Sequence, residues 1–152
     1  MMRYVIDTNI FIDFFAHRKP YEDSARKLLL LGALREFSLW VSSSQITDIF
    51  FMLTTGPQRM NREQAKTALR MLRKQSRVCS LAEADVDAAL DSTWDDFEDA
   101  CVYQCALKLK ADAIITRNQK DFEKSSIKVF DCDQLFAYLA EEKGLTYEEI
   151  PW

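Results

Sequence analysis

The sequence of 152 residues contains very little of the residues that break regular structure, with only three glycines and three prolines. Such a composition leaves no room for a Gly/Pro-rich linker or a low-complexity segment. The longest apolar runs, residues 28–31 and 49–53, are far shorter than the roughly 20 residues of a membrane span. The N-terminus also lacks the pattern of a signal peptide. These absences predict a single domain over residues 1–152, in the cytoplasm and without a membrane.

Histidine and paired cysteines are also scarce. The only histidine, His17, lies in a polar turn, so a ribonuclease mechanism that needs two histidines is excluded. The four cysteines form no CxxC pair, and we expect free thiols in a reducing compartment. Cys101 and Cys105 are four residues apart on a predicted helix, where they are expected to pack as small apolar side chains.

Charge is distributed unevenly along the chain. The net charge is −4, which argues weakly against nonspecific binding of nucleic acid. Residues 58–77, however, contain seven basic residues and one acidic residue, whereas residues 83–99 contain eight acidic residues and no basic one. This segregation favours two specialised surfaces. The alternative is that each stretch is simply the solvated face of a helix.

Short apolar, β-branched runs alternate with segments of helical periodicity. The predicted strands are 3–6, 37–41, 77–79, 113–116 and 127–130, and the predicted helices are 9–15, 21–34, 45–53, 61–74, 82–90, 95–110 and 133–142. Such alternation predicts an α/β fold, with a mainly parallel sheet of about five strands and helices on both faces. Ligands bind such sheets beyond the carboxyl ends of the strands.

Several acidic residues are predicted to lie at that edge. Asp7 directly follows the first strand, and a charge at the tip of a buried strand is either a helix cap or part of a site. Asp48 and Asp99 lie near the starts of predicted helices, and Asn118 and Asp121 follow the fourth strand. Single surface acids usually serve solubility, but four acidic positions at one sheet edge predict a site.

The chemistry of such a cluster depends on a cation. Neighbouring carboxylates raise one another's pKa, and a bound cation relieves their repulsion. Ligands that are all oxygen atoms fit Mg²⁺ or Mn²⁺ rather than zinc. The cluster therefore predicts phosphoryl or phosphodiester chemistry. A phosphatase with Asp7 as its nucleophile would need a second acid two residues later, and that position is Asn9.

Four segments, VIDTN, SSSQITDI, DFEDACVYQCA and IITRNQKDF, occur in this order. Together they resemble the PIN-domain nucleases, whose fold is used by VapC-type toxins of bacterial toxin–antitoxin pairs. The resemblance extends from about Arg3 to Leu139. It implies a Rossmann-like sheet and a metal-dependent ribonuclease acting on RNA, with an antitoxin protein as partner. The alternative is a PIN fold that has lost activity and only docks a protein or RNA.

Carried over by position, the resemblance assigns the acids to roles in the site. Asp7 and Asp99 are expected to be the metal ligands, for Mg²⁺ or Mn²⁺. Asp48 falls where the family usually has Glu, so its carboxylate reaches less far. The fourth acidic position of the catalytic group falls at Asn118 or Asp121.

Substrate-binding residues are expected around these acids. Thr8 and Asn9 match the positions that orient the first acid. Because carboxylates repel RNA, cations must lie beside the site. The candidates are Arg117, next to the fourth acidic position, and Arg70 and Arg73 on the basic helix, where steps of three and four keep basic residues on one side.

A stripe of aromatic and aliphatic side chains, within residues 11–15 and 49–53, is expected mainly in the core. VapC-type toxins commonly pair through such helices. The alternative that the resemblance offers is that part of this stripe is exposed, as the face of a homodimer or as an antitoxin groove.

Overall fold

The computed structural model describes residues 1–57 and 59–148; residues 58 and 149–152, which the single-domain prediction includes, lie outside this described part. The strands are β1 (Arg3–Ile6), β2 (Ser38–Ser42), β3 (Arg77–Cys79), β4 (Ala113–Ile115) and β5 (Lys128–Phe130). The α-helices are α1 (Thr8–Phe15), α2 (Glu22–Ala33), α3 (Ser43–Thr55), α4 (Arg62–Gln75), α5 (Glu83–Asp91), α6 (Phe97–Leu109) and α7 (Cys132–Lys143). A short 3₁₀ helix covers Gln119–Phe122.

The five strands form one sheet in the order β3-β2-β1-β4-β5. Every neighbouring pair is parallel, and β1 lies in the centre between β2 and β4. This arrangement confirms the predicted α/β class. The chain winds in one direction from β1 to β3 and in the other through β4 and β5. The carboxyl ends of β1 and β4 therefore flank the topological switch point, where ligands bind in open α/β sheets.

The sheet is covered on both faces, as the alternation along β1 shows. Tyr4 and Ile6 point into the larger core cluster, which also contains buried residues of α1, α2, α3, α4 and α7. Val5 points the other way and packs with Val102 and Ala106 of α6. Because successive strand residues face opposite sides, a strand buried on both faces is apolar at every position. This explains the unbroken run Tyr4, Val5, Ile6.

Helices α1, α3 and α6 begin at the carboxyl edge of the sheet, each with a capping side chain. Asp7 accepts a hydrogen bond from the Thr8 amide at the start of α1, and Asp96 accepts one from the Asp99 amide at the start of α6. Ser42 and Gln45 form a reciprocal capping box at the start of α3. Polar residues at this edge are thus required locally to begin each helix.

The aromatic stripe is divided between core and surface. Phe11 and Ile49 are fully buried, whereas Phe51 on α3 is 65% exposed. The cysteines at positions 79, 101, 105 and 132 are all buried and free, as expected. Within the described ranges, no helix is long and apolar enough to cross a bilayer.

Candidate active site

Asp7 lies at the centre of the carboxyl edge and is almost fully buried. One of its oxygens, Oδ1, accepts a hydrogen bond of 2.8 Å from the Thr8 amide. The other, Oδ2, accepts from the Thr116 hydroxyl at 2.7 Å and from the Asn9 amide at 3.2 Å. Burial raises the pKa of Asp7, the bonds from Thr116 and Thr8 oppose that rise, and the carboxylates of Asp121 and Asp96 add to it. Asp7 is therefore both a helix cap and a member of a carboxylate group.

The first turn of α6 contributes the second part of this group. Asp96 caps the helix by accepting a bond of 3.0 Å from the Asp99 amide. Burial raises the pKa of Asp99 to about 7, and the carboxylates of Asp7, Asp96, Asp121 and Glu98 add to the rise in that order. Burial is the larger cause of this rise, and the neighbouring carboxylates increase it.

Asp48 on α3 meets Glu98 on α6. Burial raises the pKa of Glu98 to about 7, followed by the charge of Asp48 and a hydrogen bond between the two side chains. A bond between two carboxyl groups requires a shared proton. The shorter Asp48 is thus opposed by a longer acid from the neighbouring helix. Glu98 was not among the residues predicted for the site, and its only signal in the sequence was its position one residue before Asp99.

The fourth acidic position has two candidates, and both lie after β4. Asp121, in the 3₁₀ helix, is close enough to raise the pKa of both Asp7 and Asp99. Asn118 is exposed and donates its backbone N–H to the Thr116 hydroxyl at 3.0 Å. Asp121 therefore contributes charge to the group, whereas the Asn118 backbone supports the hydroxyl that holds Asp7.

The predicted RNA-binding arginines lie in two places: Arg117 is beside the acids, where the hydrogen bond to Asp13 and also the charge of Asp7 raise its pKa, and Arg70 and Arg73 are on α4. Arg117 follows β4, but Asp13 on α1 binds its guanidinium at 2.6 and 3.0 Å, and the group lies over the Tyr21 ring. Arg70 and Arg73 lie in the C-terminal half of α4, which leads directly into β3. Because β3 runs parallel to β1, this half of α4 lies toward the amino edge of the sheet. The structure therefore does not bring Arg70 and Arg73 together with the carboxylates.

Two lysines line a groove together with acids of the site. A groove of about 140 Å³ is lined by Asp99, Asp121, Lys120 and Lys124, with Trp94 at one side. The Lys124 ammonium donates a hydrogen bond to the carbonyl oxygen of Thr93. Both lysines are exposed and neither was predicted from the sequence, although Lys120 directly precedes Asp121. Cations beside the site thus come from the segment after β4.

This geometry can be compared with known proteins. A family model described as PIN domain matches residues 3–120. The chain belongs to the PIN-domain family. A search among curated proteins gave no match.

Solved structures share the fold of this PIN domain at low sequence identity. VapBC2 from Rickettsia felis bound to a DNA fragment from their promoter matches with a TM-score of 0.63 and 16% identity, covering 86% of this chain and 98% of that chain. PAE2754 from Pyrobaculum aerophilum matches with a TM-score of 0.62 and 16% identity, covering 93% and 91%. The sarcin–ricin-loop-cleaving toxin VapC20 from Mycobacterium tuberculosis matches with a TM-score of 0.57 and 14% identity, covering 73% and 86%.

The carboxylates of this PIN domain can be tested for their fit to a metal ion. Among residues 1–57 and 59–148, no three His, Cys, Asp or Glu side chains form a ready-made metal cage. Mg²⁺ does not require one, because it commonly takes one or two carboxylates and keeps several waters. The mutual repulsion that raises the pKa of Asp99 is what a cation would relieve. The oxygen donors of Asp7 and Asp99 therefore fit Mg²⁺ or Mn²⁺.

Proposed function

We propose that this PIN domain is a metal-dependent endoribonuclease that hydrolyses phosphodiester bonds in RNA. The observation that supports this most strongly is the convergence of six acids at one edge of the sheet: Asp7, Asp48, Asp96, Glu98, Asp99 and Asp121. Crowded carboxylates destabilise a fold unless a cation compensates them. Their presence together favours a site that is completed by Mg²⁺ or Mn²⁺.

Asp7 and Asp99 would hold the metal ion. When bound, such an ion activates water for attack and neutralises the charge that develops on the phosphate. The chain's own contribution is to orient Asp7, which receives hydrogen bonds from the Thr8 amide, the Thr116 hydroxyl and the Asn9 amide. This fixed geometry is the preorganisation that phosphoryl chemistry depends on.

The pair formed by Asp48 and Glu98 has a different role in the proposal. Glu98, with a pKa of about 7, matches the requirement that a general acid or base titrate near the operating pH. The Glu98 carboxyl is placed to exchange a proton at neutral pH, with Asp48 as its hydrogen-bond partner. The departure from the family's usual Glu at position 48 is thereby compensated by a Glu on the neighbouring helix.

The proposal extends to a biological role as the toxin of a VapBC-type pair in the cytoplasm. Its support is that several proteins of the same fold are toxin–antitoxin complexes, including one from Klebsiella pneumoniae with 21% identity. The exposed Phe51 and Met52 on α3 offer an apolar face for an antitoxin or a second copy of the chain. Growth arrest on expression, relieved by the protein of a neighbouring short reading frame, would support this role.

A second function, a non-catalytic module that docks a protein or RNA, is favoured only by Asp48 in the place of Glu.

The two functions are distinguished by RNA cleavage, which only the nuclease performs. Purified chain is incubated with RNA in Mg²⁺ or Mn²⁺ and in EDTA, alongside Asp7→Asn and the matched control Asp91→Asn, which removes an exposed acid of α5. We expect metal-dependent cleavage by the parent and the control but not by Asp7→Asn. Binding of RNA without cleavage in any metal would favour the docking module.

A further inference from the structure

A buried ion pair joins α1 to the segment that follows β4. Asp13 is fully buried, and both of its oxygens accept hydrogen bonds from the Arg117 guanidinium, at 2.6 and 3.0 Å. The same guanidinium lies 4.0 Å from the centroid of the Tyr21 ring. Replacing a buried ion pair by apolar side chains is often neutral or stabilising. A contribution to stability therefore does not account for this ion pair, and its contacts point to a role in positioning neighbouring residues.

Helix α1 holds this segment at two points, one helical turn apart. Asn9 and Asp13 are four residues apart and so share one face of α1. The Asn9 side chain accepts a long hydrogen bond of 3.5 Å from the Arg117 amide and donates one of 3.5 Å to the Thr116 hydroxyl. Asp13 binds the Arg117 side chain. Residues 116 and 117 are thereby fixed to α1 through both backbone and side chains.

The fixed segment in turn positions Asp7. The Thr116 hydroxyl donates to Asp7 Oδ2 at 2.7 Å and accepts from the Asn118 amide at 3.0 Å. A hydroxyl has one proton to donate, so the bond to Asp7 depends on where the backbone of residues 116–118 is held. A shift of Arg117 would move this hydroxyl away from the Asp7 carboxylate.

We propose that Asp13 is a positioning residue for the Asp7 carboxylate, acting through Arg117 and the Thr116 hydroxyl. The inference rests on the proposed nuclease function. The charge of Asp13 is paired with the Arg117 guanidinium. Arg117, with 24% of its side chain exposed, therefore acts by holding the backbone of residues 116–118 in place. It does not act by binding an RNA phosphate.

The test compares Asp13→Asn with Glu22→Gln in the full chain. Glu22 is also buried, and it pairs with Arg26 at 2.7 Å on α2. Both variants thus remove a buried carboxylate from an ion pair, but only Asp13 is connected to Asp7. The measurements are the unfolding temperature, the Mn²⁺ affinity without RNA, and kcat and KM for RNA cleavage.

Both variants are expected to lower the unfolding temperature by similar amounts. Only Asp13→Asn should weaken Mn²⁺ binding, by about 10-fold or more, as loss of an outer-shell partner typically does. Only Asp13→Asn should lower kcat, by up to about 100-fold for a misplacement of about 1 Å, with little change in KM. If this variant does not fold, Arg117→Lys, which keeps the charge but loses the paired bonds, takes its place with the same expectations.

A rescue experiment separates positioning from stability. Asp13→Leu combined with Arg117→Met should recover the unfolding temperature but neither the Mn²⁺ affinity nor kcat. Recovery of all three would overturn the proposal, as would an Asp13→Asn variant that matches Glu22→Gln in both Mn²⁺ affinity and kcat. A rise in KM alone would also overturn it, because Arg117 would then be an RNA contact. If the parent cleaves no RNA, the Mn²⁺ affinities decide the positioning role separately from the failed nuclease proposal.

Discussion

Removing the charge of Asp99 should stabilise the metal-free protein at alkaline pH. In the folded state, burial and the neighbouring carboxylates raise the pKa of Asp99 from 3.8 to about 7. Between these two values the folded protein binds more protons than the unfolded chain. The contribution of Asp99 to the free energy of unfolding is therefore fully present below about pH 4 and is lost as the pH rises through about 7. Asp99→Asn keeps the shape of the side chain but carries no charge to repel.

The magnitude follows from the shift. A pKa change from 3.8 to about 7, at about 1.36 kcal/mol per unit, sets an upper limit of about 4 kcal/mol. Asp99 is half-buried, so solvent screening reduces this to about 2 kcal/mol. The carboxylate also lies in the first turn of α6, where the helix dipole favours it by about 0.3–1 kcal/mol. The net gain of Asp99→Asn is about 1–1.7 kcal/mol, or about 2–7 °C for a chain of this length.

Thermal unfolding in EDTA at pH 8 and at pH 5 measures this effect, with Asp91→Asn on α5 as the matched exposed control. We expect Asp99→Asn to unfold at a higher temperature than the parent at pH 8 and to lose most of this advantage at pH 5. Added Mg²⁺ should raise the unfolding temperature of the parent more than that of the variant. Equal stabilities at pH 8, or a difference that does not depend on pH, would refute the carboxylate repulsion.

Three further changes test individual parts of the site. Asp48→Glu should weaken Mn²⁺ binding in calorimetry, because the extra methylene brings its carboxyl closer to Glu98. Stronger binding would mean that the site has space for the longer side chain and that Asp48 is a metal ligand that reaches less far than Glu. Glu98→Gln should lower kcat and remove an apparent pKa near 7 from the pH profile, and an unchanged profile would take Glu98 out of proton transfer. Lys120→Glu should weaken RNA binding and flatten its salt dependence, by about 0.7 in log–log slope for each lost phosphate contact, whereas Arg70→Glu with Arg73→Glu should change both less. The reverse ranking would place the RNA on α4.

Most of the fold could be predicted from the sequence because β1 and β4 are short, apolar runs buried on both faces. The predicted bounds of helices were wrong where the local sequence is compatible with more than one start or with no helix. The start of α3 was predicted two residues late, because three serines precede it and only the pairing of Ser42 with Gln45 identifies the cap. The 3₁₀ helix at 119–122 was missed because a single turn shows no apolar period.

The site could be predicted only in part. Asp7 and Asp99 follow from the rule that ligand groups lie beyond strand ends. Glu98 does not, because its contact with Asp48 depends on how α6 packs beside α3. The pairing of Asp13 with Arg117 joins residues 104 positions apart and leaves no local pattern.

The most direct test of the central claim is calorimetric titration of the metal-free chain with Mn²⁺ at pH 7, in two buffers of different ionisation enthalpy. We expect binding at the carboxyl edge with release of a proton, since Asp99, with a pKa of about 7, must lose its proton to accept the ion. Asp7→Asn should abolish this binding and Asp91→Asn should leave it unchanged. Mn²⁺ binding that is absent in the parent, or equally strong in Asp7→Asn, would contradict a metal site at these carboxylates.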